Sequence, residues 1–316
     1  MQFRYMAWVK KASAKDIAWV GAKLVVIIGI VTFIFFKLKD NQLELKQALN
    51  YLALSFKNAP FTMILLILLM PLNWALEAVK WKLLVGAHQN VKFVNAFKGV
   101  LLGLSLSFIT PHGIGDYFGR ILTLNTKNRM QYVGSILIGR VCQMVPTLLF
   151  GIIGIHYVWF EGQFFLIIFL TLIIGFVLLF RSHVFKYATR YSVFNQFFVA
   201  IKYYSKRLLL LVMGVSILRY IVFCSQFLIL LNLFLPQLST KIQFAGVTWI
   251  FLAKSVIPTF NFLSDLGVRE FSAMYFFEKY QVDLSMVFSA SMGIWLLNIL
   301  LPTLLAAPLV FKAKRQ

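Results

Sequence analysis

Acidic residues are scarce in this chain: ten Asp and Glu stand against 31 Lys and Arg in 316 residues, a formal net charge of +21. The ten acids include no DxD pair, which argues against a metal-dependent transferase built on clustered carboxylates. No GxxxxGK[ST] stretch is present, so nothing points to a nucleotide-driven motor. The two cysteines, Cys142 and Cys224, lie inside apolar runs without CxxC spacing, which makes them packing residues and excludes a disulfide or zinc framework. Alternating apolar and polar strands are missing too, which removes a barrel. No cofactor or metal signature remains.

What fills the chain instead is apolar helix. Hydrophobic residues make up 60%, Phe alone occurs 33 times, and the mean hydropathy is +0.83. The expected class is all-α, a polytopic membrane bundle formed as one integral domain over 1–316, with no soluble domain. The excess of Lys and Arg sits between apolar runs and not on one polar face. It therefore reads as positive-inside topology and attraction to anionic lipid, not as a nucleic-acid surface.

Eight hydrophobic segments can be marked. Six are long enough to span: Ile17–Phe36, Pro60–Val79, Val133–Tyr157, Phe164–Phe180, Leu208–Leu235 and Leu284–Phe311. The first follows Arg4, Lys10, Lys11 and Lys15 without a small-residue cleavage site, so it reads as an uncleaved span. Two segments, Gly99–Leu124 and Phe244–Phe277, are interrupted by Pro and Gly. Arg181, Lys186, Arg190, Lys202, Lys206 and Arg207 place one loop in the cytoplasm, and Lys127, Arg129, Lys312, Lys314 and Arg315 follow. Both interrupted segments then begin and end on one face each, and on opposite faces. The expectation is six spans plus two opposed re-entrant hairpins, with both termini cytoplasmic. Lys37, Lys39, Lys46 and Lys57 lie on the disfavoured side in this scheme. Two amphipathic stretches, Leu45/Leu49/Leu52/Phe56 and Phe194/Phe197/Phe198/Ile201, read as anchors in the headgroup layer.

Each interruption pairs a helix break with charge. Pro111, Gly113 and Gly115 precede Asp116 and Arg120, and Pro258 and Gly267 bracket Asp265, Arg269 and Glu270. Lipid cannot satisfy broken backbone, so such breaks must be buried in protein or line a cavity, and paired breaks in two halves mark a transport site. Counting Glu77, Lys80, Arg140, Arg219 and Lys254 as well, six bases face four acids at membrane depth. Each is costly unless paired or hydrated, and two positive charges stay uncompensated, which suits an anionic headgroup.

Asp116 and Arg120 share a helix face if the helix resumes after Gly115. They then form an internal pair, or Arg120 binds phosphate with help from backbone N–H groups at the new helix start. Arg269 and Glu270 are adjacent, so each needs a partner elsewhere. Arg140 and Arg219 lie roughly 10 and 16 Å into their spans and are expected to neutralise Asp116, Asp265 or Glu270. Trp74, Glu77, Lys80 and Trp81 form a stripe read as belt anchoring with a local ion pair. Gly99, Gly103 and Ser107 read as close helix packing. His112 beside the first break reads as a satisfied cavity histidine.

Three stretches carry a family resemblance: Asn73-Trp-Ala-Leu-Glu-Ala-Val-Lys-Trp81, Thr110-Pro-His-Gly-Ile-Gly-Asp-Tyr-Phe-Gly-Arg120 and Asp265-Leu-Gly-Val-Arg-Glu270. They resemble the transmembrane region of lysylphosphatidylglycerol synthetase, the flippase-like domain of the multiple peptide resistance factor. The resemblance implies movement of an aminoacylated or otherwise polar phospholipid, or a related glycolipid, between leaflets of a bacterial inner membrane. Arg120, Arg269 and Arg140 would hold the phosphate, with Asp116, Asp265 and Glu270 balancing them or meeting a cationic headgroup. Where this family more usually shows a Gly pair, the chain reads Asn261-Phe-Leu-Ser264, and only Lys312–Gln316 follow the last helix, without an aminoacyltransferase domain. A membrane phospholipid is the expected ligand; a separate lipid synthase and a second copy of the chain are the protein partners considered. A membrane-embedded lipid-modifying transferase and a lipid-binding scaffold for such a synthase are the alternative functions.

Overall fold

A computed structural model describes residues 42–110, 113–124, 130–159, 204–257 and 262–312. Among these, the regular structure is entirely helical: α1 (Gln42–Asn58), α2 (Pro60–Gly86), α3 (Phe93–Ile109), α4 (Ile114–Leu122), α5 (Met130–Trp159), α6 (Lys206–Phe234), α7 (Thr240–Val256), α8 (Phe262–Phe277), α9 (Leu284–Trp295) and α10 (Leu301–Lys312). Four stretches are long and apolar enough to cross a membrane: Pro60–Gly86, Tyr132–Val158, Lys206–Phe234 and Leu284–Leu309. They coincide with four of the six expected spans. The expected spans Ile17–Phe36 and Phe164–Phe180, the anchor Phe194–Ile201, and Pro111, His112 and Pro258 lie outside the described residues.

Helix directions follow from which residues meet. Gly139 of α5 lies against Leu84 of α2, and Lys80 donates to Gln143, so α2 and α5 are antiparallel. Gln226 donates to the Leu66 carbonyl and Arg219 pairs with Glu77, so α2 and α6 are antiparallel as well. α5 and α6 therefore run parallel. Gly293 meets Leu230 while Asn298 meets Asn73, so α9 and α10 run with α2. One end of the bundle, the first, gathers Gly86, Met130 and Lys206; the second gathers Pro60, Trp159, Phe234 and Leu284.

Both interrupted segments fold back on themselves. In the first, Gly99 faces Thr123, Gly103 faces Asp116 and Gly119, and Leu106 faces Gly115, an antiparallel α3–α4 hairpin rooted at the first end. In the second, Gly246 faces Phe277 and the Trp249 indole donates to the Ser272 carbonyl, an antiparallel α7–α8 hairpin rooted at the second end. α5 measures their depth. The first tip reaches Arg140, which donates to the Gly113 carbonyl, while α7 passes Gly154 at Trp249 and Gly151 at Leu252 on its way inward. The first tip and the described arm of α7 thus approach the middle of α5 from opposite ends.

Details differ from the expectation. α3 begins at Phe93 and not at Gly99, because Ala96 and Val100 bury one face and carry the helix past exposed Lys98. α8 runs unbroken through Gly267, so that residue is not a break; the interruption lies wholly before Phe262. α1 is helical as expected, but Ala48 and Leu52 pack against α9 and leave Leu49 and Phe56 outward. Between α9 and α10 the backbone widens into a π turn at Leu296–Leu300. Pro302 has no N–H for the carbonyl of Asn298 four residues back, and that carbonyl accepts the Trp74 indole N–H at 3.2 Å instead. At the first end Tyr204 donates to the Leu84 carbonyl, so the 2.7 Å contact with Ser135 and the 3.1 Å contact with His88 are hydrogen bonds it accepts. That hydroxyl ties α2, α5 and the start of α6.

Candidate functional site

The first hairpin tip shows why these residues turn. Gly113 is the N-cap of α4 at φ 65°, a left-handed conformation that a Cβ would strain. Thr110, the last residue before the break, donates to the Leu106 carbonyl and accepts the Gly115 N–H at 2.8 Å. Ser107 donates to the Gly113 carbonyl. The Gly115 N–H is therefore spent on Thr110 and is not available to a ligand. The return arm then lies so close to α3 that a Cβ on Gly119 would stand 2.2 Å from the Gly103 nitrogen. Small residues at both positions allow this approach.

Closing the hairpin brings six charged side chains into one network. Asp116 holds Arg120 Nε at 2.6 Å through Oδ1 and Arg140 Nη2 at 3.2 Å through Oδ2. Arg120 spans to Glu77, with Nη1 at 2.9 Å from Oε1. Glu77 Oε2 also pairs with Lys80 at 2.7 Å and Arg219 at 3.1 Å. Gln143 accepts from both Lys80 and Arg219 at 3.3 Å and donates to the Ser216 carbonyl. Rings cover the guanidinium groups: Trp81 lies 5.7 Å from Arg120, Tyr117 4.5 Å from Arg140 and Trp74 5.5 Å from Arg219.

The network joins α2, α4, α5 and α6, and its polarity is graded. Glu77 and Lys80 are buried, Arg120 is nearly so, and the Arg140 side chain is 43% exposed. Four bases share two carboxylates, so two positive charges are in excess. In a medium of low dielectric such an excess is stable only beside water or an anion.

The internal Asp116–Arg120 pair and the Arg140–Asp116 pair stand where the spacing and depth pointed. The belt reading of the Trp74–Trp81 stripe is overturned: Trp81 is 0% exposed, and Glu77 is the hub of the network, not a surface partner of Lys80 alone. Helix α2 crosses the bundle with this face inward, which a belt preference could not reveal. Arg219 pairs with Glu77, an acid outside both hairpins. Gln143, Tyr117 and Asn298 went unmarked, since neutral polar residues stand out less than charges in an apolar run.

The second hairpin holds Lys254 in the last turn of α7 and Asp265, Arg269 and Glu270 in α8. The side chain of Asp265 lies outside the described residues. Arg269 is completely buried and donates to the Ser291 carbonyl of α9 at 3.0 Å. It fastens α8 to the last span instead of opening on a cavity. Glu270 and Lys254 are partly buried.

Arg120→Lys is expected to destabilise the detergent-solubilised protein by about 1–3 kcal/mol, because one ammonium cannot bridge Glu77 and Asp116 as the planar guanidinium does. A thermal melt equal to wild type would contradict the bridging role.

No curated protein and no solved structure matches this chain. A family model does, over residues 20–306, which include both hairpins, three of the apolar spans and most of the fourth. The chain is a multi-pass membrane protein and belongs to the lysylphosphatidylglycerol synthase TM region family.

Proposed function

We propose that the protein moves a lipid with an anionic headgroup between the two leaflets of its membrane. The observation that carries this reading is the location of the charge excess. Two hairpins enter from opposite ends, and at the middle of the bundle a six-member network turns its surplus outward through Arg140. Midplane sites between opposed broken helices serve alternating access, since either hairpin can part from its neighbours without the other. In this reading Arg140 and Arg120 meet the phosphate, Asp116 positions both, and Glu77 holds the cations Lys80, Arg120 and Arg219 in place. Arg269 anchors the second hairpin. The first end, with Lys82, Lys92, Lys98, Lys206 and Arg207 exposed, faces the cytoplasm. Family membership supports a role with membrane lipids.

The test is leaflet exchange. Purified protein reconstituted in vesicles with fluorescent-tailed anionic lipids is expected to speed the loss of inner-leaflet label to a membrane-impermeant quencher. Arg140→Ala is expected to slow exchange at least tenfold while shifting the thermal melt little, because Arg140 is half exposed and Asp116 keeps Arg120. Wild-type protein that binds these lipids but exchanges none would turn the reading into a lipid-binding scaffold.

A further inference from the structure

The two hairpins differ in charge balance. Beyond Lys241 at its root, the second carries two bases at membrane depth, Lys254 and Arg269, and two acids, Asp265 and Glu270, and so adds no excess there. The network at the first holds four bases on two carboxylates, and both carboxylates are fully engaged. The whole surplus of the membrane-depth charges therefore belongs to one site.

That site has an open edge. Arg140 reaches the protein through Nη2 alone, to the Gly113 carbonyl and Asp116, and among the described residues its Nε and Nη1 have no partner. The Tyr117 ring covers the guanidinium, with its centroid 4.5 Å from Cζ. Arg140 is ten residues from the start of α5, or about 15 Å, close to half of a bilayer core about 30 Å thick. A half-exposed guanidinium at that depth needs an anion or water.

Charge then selects among anions. A phosphodiester headgroup brings one negative charge and leaves half of the surplus uncompensated. An aminoacylated headgroup brings added positive charge and makes the balance worse. A phosphate monoester carries about −1.5 to −2 at neutral pH and three strong acceptor oxygens, which matches both the surplus and the free guanidinium edge. We infer that the Arg140 site takes a dianionic phosphate, the terminal phosphomonoester or diphosphate of a lipid headgroup, in preference to a phosphodiester or aminoacylated one. The lipid source rests on the function proposed above; the dianion chemistry would equally suit free phosphate.

Calorimetric titration of the purified protein at pH 8 separates these cases, with dioctanoyl phosphatidic acid, dioctanoyl phosphatidylglycerol and inorganic phosphate as probes. Phosphatidic acid is expected to bind at least tenfold tighter than phosphatidylglycerol. The preference should shrink at pH 5.5, since the second phosphate proton binds with a pKa of about 6. Arg140→Gln should abolish it. Equal or tighter binding of phosphatidylglycerol overturns the inference while leaving lipid translocation standing. Inorganic phosphate binding as tightly as phosphatidic acid keeps the dianion chemistry and removes the lipid reading. The pH comparison uses wild-type protein, so the inference can fail even if the variant does not fold: a preference that persists unchanged at pH 5.5 overturns it.

Discussion

Glu77→Gln is expected to lower the thermal midpoint of the solubilised protein more than any other substitution in the charge network. The variant would leave Lys80, Arg120 and Arg219 around a neutral amide, all three having lost the carboxylate they share. Removing one partner of a buried ion pair costs about 3–5 kcal/mol, because the remaining charge stays desolvated. Here three such charges remain, and they also repel one another. Glu77→Gln combined with Lys80→Met should recover part of the loss, since it removes one stranded cation together with its desolvation cost. Melting curves of wild type, single and double variants check both statements. A single variant that melts like wild type would show that Glu77 is not the hub, and a double variant no better than the single would remove the electrostatic explanation.

The second large effect is steric. Gly119→Ala places a methyl group 2.2 Å from the Gly103 nitrogen, 2.3 Å from its Cα and 2.6 Å from the Leu102 carbonyl carbon. All three are backbone atoms, so no side-chain rotation can make room and α3 and α4 must move apart. Overpacking of this kind costs about 1–3 kcal/mol, and more when helix backbones are the obstacle. Separation of the arms also displaces Asp116, which lies against Gly103, and with it the grip on Arg120 and Arg140. Leaflet exchange should therefore fall together with stability. Gly214→Ala is the control: it also lies inside a helix, α6, but among the described residues its Cβ would meet no atom within 4 Å. That change should be neutral or stabilise by up to about 1 kcal/mol. Similar melts for the two variants would contradict the close packing of the hairpin.

Residues near one another along the chain were readable before any tertiary information. Helical class and the four described spans follow from length and hydropathy, because lipid admits little else. The fold-back of Gly99–Leu124 and Phe244–Phe277 follows from Lys and Arg in the loops, and the Asp116–Arg120 pair from its spacing of four. Even the surplus of two positive charges could be counted from the charges that fall within the expected membrane segments.

Partnerships between distant segments could not be obtained that way. Arg219 and Glu77 are separated by 142 positions, and only the antiparallel register of α2 against α6 makes them neighbours. The same register turns Trp81 inward, whereas a Trp near a helix end reads locally as a membrane-belt residue. Arg269 beside Glu270 suggested a ligand-facing charge, yet the packing of α8 on α9 puts its guanidinium against the Ser291 carbonyl. Composition and local spacing thus decide which charges enter the membrane and how the chain crosses it. Where the charges end up, and which one remains open to a ligand, depends on the rotation and register of packed helices, since a shift of a single residue turns a helix by about 100° and points a side chain at a different neighbour.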